Sequence, residues 1–144
     1  MPRRGYKLEH EIDKVIKYID STNGFATKLY PNKTIDGIFI AGEPFDYFIL
    51  LPKYKVAFDA KECAGTTWNM KPKDIKQANN LKKVKNAGLH AYFLILFENK
   101  DVRQIDIDEV IEVLKQGKKS ISMELGKEWE LIKILNSWGG KVWI

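Results

Sequence analysis

The sequence is poor in the residues and segments that mark several protein classes. Of its 144 residues, only one is cysteine and two are histidines. A lone Cys63 excludes an intramolecular disulfide, and His10 and His90 lack the spacing of zinc ligands, so we expect structural or surface roles for all three. No apolar run is long enough to span a bilayer, and the beginning is basic, with Arg3 and Arg4, rather than an apolar signal core. These absences predict a protein of the reducing cytoplasm.

Composition instead indicates one compact basic domain. Hydrophobic residues make up 44% and aromatic residues 12% of the chain, which excludes disorder along its whole length and predicts a single domain over residues 1–144. The net charge is +5. Residues 53–85 hold nine lysines and three acids, so this segment alone carries the surplus and the rest is about neutral. A basic segment of this kind predicts a polyanionic partner.

Apolar periodicity predicts a mixed α/β domain with a central sheet. Helical spacing extends over residues 6–21, and a second helix is expected from Pro72 to Gly88. A third helix is expected from Asp106 or Asp108 through Leu114, whereas residues 129–135 fit a helix and a strand about equally. Strands are expected at residues 25–30, 34–41, 45–51, 54–61 and 91–97. The apolar run 91–97 reads as a strand buried on both faces, reached by a helical crossover.

Two acidic residues are expected to face each other in a hairpin. Asp59 and Lys61 lie two apart near the end of a strand and therefore share a face. If residues 51–54 form a tight turn, Asp46 lies directly across from Asp59, with Lys61 as its diagonal neighbour. Opposed carboxylates repel unless positive charge lies between them, and hard oxygen ligands suit Mg²⁺. Lys61 could then orient a water or stabilise charge on a phosphate.

An ordinary alternative exists for the same residues. Asp46 and Asp59 could be solvated acids at a sheet edge that form ion pairs with Lys61. Their neighbours argue against it, because Phe45 and Phe48 flank the first acid and the Val56–Phe58 segment precedes the second. Strands that are apolar on both faces predict a specific role for acids within them.

At these residues the sequence resembles the PD-(D/E)xK nuclease superfamily, and more narrowly the RecU-type Holliday junction resolvases. Asp46 precedes Asp59-Ala60-Lys61-Glu62 by thirteen residues, as in the active-site strands of that family. Further matching positions are Arg4-Gly5, Leu8-Glu9, Ile12, Thr66-Thr67-Trp68, Gln77, Ala91 to Phe97 and Lys119-Ser120-Ile121. The resemblance covers residues 4–121, and its most specific part is the block 46–77.

The resemblance implies a restriction-endonuclease-like fold, in which helices flank a mixed sheet with a catalytic antiparallel hairpin. It implies that Asp46, Asp59 and Glu9 bind Mg²⁺, for which Mn²⁺ can substitute. Lys61 then assists the attacking water, and Glu9 and Gln77 complete the catalytic set. The implied protein is a homodimer that hydrolyses branched DNA in recombination and repair, in the cytoplasm of a bacterium or of a phage-infected host.

One departure bears on the substrate. Only 36 residues separate Glu9 from Asp46, so the long stalk of RecU-type enzymes is shortened or missing. Two substrates therefore stay open. The protein could be selective for four-way junctions, or it could be a restriction-like or repair nuclease that acts on linear duplex. A third alternative is a non-catalytic module that only binds nucleic acid.

Two of the site residues have competitors in the sequence. Glu11 competes with Glu9 for the helix position, and Asp36 competes with Asp46 as a metal ligand, although Asp36-Gly37 is first of all a turn signal.

Basic and aromatic residues around this block are candidates for DNA contact. Lysines bind phosphates without reading sequence, and an aromatic side chain can stack on an unpaired base. Trp68 could do so, or it could fold back onto the core. The expected nucleic-acid-binding residues are Arg3, Arg4, Thr67, Trp68, Lys71, Lys73, Lys76, Lys82 and Lys83.

Overall fold

Four α-helices and nine strands form the described part of the chain. The computed structural model describes residues 6–22, 24–29, 32–33, 39–41 and 45–137. The helices are α1 (Tyr6–Asp20), α2 (Pro72–Asn86), α3 (Ile107–Lys115) and α4 (Glu130–Asn136). The strands are β1 (Phe25–Lys28), β2 (Asn32–Lys33), β3 (Phe39–Ala41), β4 (Tyr47–Leu51), β5 (Tyr54–Cys63), β6 (Thr67–Asn69), β7 (His90–Phe97), β8 (Asp101–Asp106) and β9 (Ser120–Ser122). The predicted α1, α2 and α3 are confirmed.

A five-stranded mixed sheet forms the centre, in the order β1-β4-β5-β7-β8. Strand β5 pairs with β7 in parallel, and the other neighbours are antiparallel. A parallel pair needs a crossover, and α2 supplies it between these two strands. The predicted crossover of a buried strand onto an existing sheet is therefore confirmed. Two small antiparallel pairs, β2 with β3 and β6 with β9, lie outside this sheet.

Helices cover both faces of the sheet, because its central strands are apolar on both sides. On one face α1 and α4 pack against alternate residues such as Val56 and Phe58. On the other face α2 and α3 pack against Ala57, Phe93 and their neighbours. All residues of β7 after His90 are buried, as expected for a strand enclosed by two layers.

Four described strands lie outside the predicted ranges, namely β2, β6, β8 and β9, and residues 34–38 of the predicted strand 34–41 lie outside the described residues. Strand β8 pairs with β7 at the edge of the sheet, and the hairpin between them is closed by Glu98 and Asn99 at φ of 54° and 60°. Its mixed polar sequence shows no strand pattern. The three-residue strands β6 and β9 were not predicted either, because their pairing joins distant segments.

The ambiguous segment 129–135 forms a helix, α4, which begins at Glu130. Within the described ranges, no helix is long and apolar enough to cross a membrane.

Candidate active site

Strands β4 and β5 form the hairpin that the turn residues predicted. Tyr47 pairs with Phe58 and Leu51 with Tyr54, which continues by one step to place Asp46 opposite Asp59. Asp46 lies just before β4, whereas Asp59 lies within β5, beside Phe93 of β7. The turn therefore sets the positions of both acids, as expected.

Two hydrogen bonds from backbone N–H groups interlock the acids. The backbone N–H of Asp46 donates to Oδ1 of Asp59 at 2.6 Å, and the backbone N–H of Ala60 donates to Oδ2 of Asp46 at 3.2 Å. The carboxylate of Asp59 thus binds the backbone of Asp46, and the carboxylate of Asp46 binds the backbone next to Asp59. Because both acids bind backbone of the facing strand, their separation is fixed by the hairpin rather than by flexible side chains.

Asp59 is the most unusual titratable group of this cluster. Its side chain has no solvent exposure, and its Oδ2 is buried without a hydrogen-bond partner. Burial, followed by the negative charge of Asp46, raises the pKa of the Asp59 carboxyl from 3.8 to about 8, against a smaller opposing effect of Lys61. A buried carboxyl held this way is a functional-site candidate on physical grounds.

Lys61 lies on the same face of β5 as Asp59, and residues of helix α2 hold its side chain. Its Nζ lies 2.9 Å from Oδ1 of Asp74 and donates to Oε1 of Gln77 at 2.9 Å. Oδ2 of Asp59 is 4.0 Å away, beyond hydrogen-bond distance. The ammonium group is therefore held near Asp59 without forming a hydrogen bond to its Oδ2.

The chemistry of this donor set fits a divalent cation. Asp46 and Asp59 offer hard carboxylate oxygens, and the unpartnered Oδ2 of Asp59 is the kind of buried acceptor that a cation would satisfy. A cation would also relieve the repulsion that raises the pKa of Asp59. Among the described residues, however, no three His, Cys, Asp or Glu side chains form a metal-binding group. The protein can therefore supply these two carboxylates, with waters or a phosphate as the remaining ligands.

Glu9 and Glu11, the two candidate acids of α1, each lie beside a lysine. Glu9 lies on α1, whose apolar stripe packs against the opposite face of the sheet, and its carboxylate is 3.7 Å from Nζ of Lys28. Glu11, its competitor, is exposed and lies 3.5 Å from Nζ of Lys14. Helix α1 instead contacts β5 through Glu62, whose Oε2 accepts the backbone N–H of Leu8 at 2.9 Å. Within the part of the chain that the structure describes, neither acid of α1 forms a three-acid group with Asp46 and Asp59.

The lysines at and within α2 divide into exposed residues and residues engaged in ion pairs. Lys71, Lys73, Lys76 and Lys83 are exposed. Lys82 instead lies 2.6 Å from Oδ1 of Asp108 on α3, so one expected DNA contact is engaged in an ion pair. Arg3, Arg4 and Asp36 lie outside the described residues.

Trp68 belongs to the core and not to a DNA-binding surface. It is 6% exposed and packs on Phe93 of β7, with ring centroids 5.0 Å apart. The stacking prediction is therefore corrected in favour of its alternative, because β6 alternates and turns this side chain inward between two exposed neighbours. Thr67, one of these neighbours, is exposed as a DNA contact requires.

Asp74 is the site residue that the sequence did not reveal. It opens α2, and its Oδ2 accepts the backbone N–H of Lys71 at 2.9 Å while its Oδ1 faces Lys61. Asp74-Ile75-Lys76 had the ordinary pattern of a solvated helix start. One signal was present, since Asp74 and Gln77 are three residues apart and share a helix face.

A groove on the opposite face is separate from this cluster. Its volume is about 360 Å³, and its walls include Leu8 and Val15 of α1 and Trp129 and Ile132 of α4. None of the acids on the β4–β5 hairpin lines it. The candidate site therefore lies on the α2 side of the sheet, away from this groove.

Comparisons with known proteins agree with this architecture. A family model described as RecU, recombination protein U, matches residues 3–137. Among solved structures, the fold resembles that of Archaeoglobus fulgidus Hjc, described as a Holliday junction resolvase from an archaeal hyperthermophile. The TM-score is 0.54 at 13% identity, over 85% of this chain and 93% of that chain. The likeness shows a restriction-endonuclease-like fold, as predicted. No curated protein matches the sequence.

Proposed function

Because the chain belongs to the recombination protein U family, we propose that it is a metal-dependent endonuclease that resolves Holliday junctions or other branched DNA. The observation that carries this proposal is the pair of interlocked carboxylates, Asp46 and Asp59, beside a fixed lysine. A structural hairpin gains nothing from a fully buried, unpartnered carboxylate oxygen, which costs free energy until it is satisfied.

Asp46 and Asp59 are the proposed ligands of Mg²⁺, with Mn²⁺ as a substitute. A divalent ion bound there would supply Lewis-acid activation of water and neutralise charge on the scissile phosphate. The chain's own contribution is to hold both carboxylates in place through the backbone of the hairpin. We do not include Glu9 among the ligands, since its carboxylate lies beside Lys28.

Lys61 is proposed to orient the attacking water and to stabilise the negative charge that develops on the phosphate. Its ammonium group has three N–H donors, of which Gln77 and Asp74 occupy two. The third can point to a water or a phosphate oxygen. Gln77 thus completes the proposed site by holding Lys61, in agreement with the role that the family resemblance implies.

The exposed lysines of α2 are proposed to bind the DNA backbone beside the site. Lys71, Lys73 and Lys76 are exposed at the start of the helix that also carries Gln77. Such contacts give affinity and salt dependence without sequence preference. Residues 1–144 are proposed to form a single nuclease domain that acts as a homodimer, since a four-way junction offers two symmetric strands to cut.

The experiment is a cleavage assay on three labelled substrates, a four-way junction, a flap and a linear duplex, each with Mg²⁺ or EDTA. We expect the wild type to cut the junction fastest, only with Mg²⁺. Asp59→Asn should abolish cleavage, whereas Asp13→Asn, which changes an exposed acid of α1, should not.

Each alternative function has its own outcome in this assay. If the linear duplex is cut faster than the junction, the restriction-like alternative is supported and the junction is not the preferred substrate. Salt-sensitive binding of all three DNAs without cleavage would instead support the non-catalytic module and overturn the nuclease proposal.

A further inference from the structure

We infer that Asp74 is a positioning residue that holds Lys61 in its working place and keeps it away from the proposed metal ligand Asp59. The contacts are direct, since Oδ1 of Asp74 lies 2.9 Å from Nζ of Lys61 and Oδ2 of Asp59 lies 4.0 Å from it. The catalytic part of this inference rests on the proposed function, whereas the positioning of the lysine does not.

The geometry of Lys61 explains why a second acid is needed. Its long side chain is only 18% exposed and could reach Asp59, the nearest strand acid on its own face. An ammonium group that formed a full ion pair with Asp59 would occupy the oxygen that is free. Asp74 and Gln77, on the facing helix, provide two acceptors on the other side and draw the ammonium group toward α2.

Asp74 is itself held rigidly, so it can determine where Lys61 lies. Its side chain is 10% exposed, and its second oxygen accepts the backbone N–H of Lys71 at the beginning of α2. This bond satisfies one of the N–H groups that a helix start leaves unpaired. Asp74 therefore joins Lys61 to the first turn of the helix that carries the exposed lysines.

The ordinary alternative is that Asp74 only caps α2. The two roles use different oxygens and can be separated. In Asp74→Asn, the amide oxygen can still accept from Lys71, but the amide nitrogen presents a donor to the ammonium group and cannot hold it. Asp74→Glu keeps a carboxylate at the helix position where glutamate serves in capping boxes. Asp74→Asn should therefore disrupt the positioning of Lys61 more than the capping of α2, and Asp74→Glu should restore the positioning.

Asp106 offers a matched control. It caps α3 by accepting the backbone N–H of Asp108 at 2.9 Å, and it lies 2.8 Å from Nζ of Lys85. Asp106→Asn therefore neutralises a capping acid that also pairs with a lysine, as Asp74→Asn does, but on the edge strand β8, which β7 separates from β5. Any general effect of such a change on stability appears in both variants.

The first experiment measures steady-state cleavage of a four-way junction with Mg²⁺. We expect Asp74→Asn to lower kcat by about 10–100-fold, the usual cost of losing a residue that orients a site's reactive groups, with KM nearly unchanged. Asp74→Glu should recover most of the loss, and Asp106→Asn should match the wild type. Wild-type kcat in Asp74→Asn, or a loss that Asp74→Glu does not recover, would overturn the inference.

The second experiment reads the position of Lys61 without any cleavage. Lysine ammonium protons give resolved ¹H–¹⁵N signals when hydrogen bonds slow their exchange with water, and the Lys61 signal is identified by its absence from Lys61→Met. We expect this signal in the metal-free wild type and in Asp106→Asn, and its loss in Asp74→Asn. Absence of the signal from the wild type, or its persistence in Asp74→Asn, would overturn the inference. If the wild type shows the signal but cuts no DNA, the proposed function fails and the positioning of Lys61 stands.

Discussion

Replacing Asp59 by asparagine should stabilise the metal-free protein while it removes activity. Asp59 is fully buried, and its carboxyl has a pKa of about 8 against 3.8 in the unfolded chain. Because the folded pKa is raised, the contribution of this group to stability is greatest below pH 4 and is lost as the pH rises toward 8. At neutral pH the folded protein must keep a proton that the unfolded chain releases.

The magnitude follows from the width of that pH window. Each unit between the unfolded pKa and the working pH costs about 1.4 kcal/mol, so at pH 7 the penalty has an upper bound of about 4 kcal/mol. Asparagine carries no charge at any pH, and its oxygen can keep the bond from the N–H of Asp46. Its amide nitrogen faces Lys61 less favourably, so we expect a net gain of about 2 kcal/mol, or a rise in Tm of about 8 °C for a chain of this size.

The assay is thermal or urea unfolding in EDTA across this pH range. The wild type should lose stability from pH 4 to pH 8, and Asp59→Asn should lose much less, so the two curves diverge as the pH rises. Added Mg²⁺ should stabilise the wild type and leave Asp59→Asn unchanged, because a ligand stabilises only the protein that binds it. Asp13→Asn is the control. Equal pH dependence in both proteins, or destabilisation by Asp59→Asn at pH 7, would refute the reasoning.

Three further predictions concern the proposed DNA-binding face and the core. The exposed lysines at the start of α2 are Lys71, Lys73 and Lys76. Changing all three to alanine should weaken DNA binding and lower the slope of log affinity against log salt by up to about 3, measured by fluorescence anisotropy. Trp68→Ala should destabilise the fold by about 3–5 kcal/mol in urea unfolding, because the side chain packs on Phe93. Tyr92→Phe should cost about 1–3 kcal/mol in the same assay, since its hydroxyl accepts the Trp129 Nε1–H at 2.9 Å.

The parts of the fold that were predictable from sequence are those with local rules. The stripe of α1 and the proline at the start of α2 define helices without tertiary information. The hairpin register was predictable because a tight turn at Pro52 and Lys53 fixes every pair on both strands, including the position of Asp46 opposite Asp59. For this reason the relative positions of the site's two acids could be predicted from the sequence.

The unpredicted parts depend on contacts between distant segments. Strand β8 is a polar edge strand, defined by its pairing with β7 and not by its own pattern. The inward direction of Trp68 depends on β9, more than fifty residues away. Asp74 has the sequence context of a solvated acid and acquires its role only where α2 meets β5. Glu9 was expected at the site by resemblance, but the packing of α1 sets its carboxylate beside Lys28.

The proposed function requires that Asp46 and Asp59 bind the divalent ion with which the protein would cut DNA. Its most direct test is the rate of four-way-junction cleavage against Mg²⁺ concentration, for the wild type, Asp46→Asn and Asp59→Asn, with junction binding measured in parallel. We predict a rate that rises and saturates with Mg²⁺ in the wild type, and loss of cleavage in both variants although they still bind the junction. Cleavage by the wild type in EDTA, or wild-type rates in either variant, would contradict the claim.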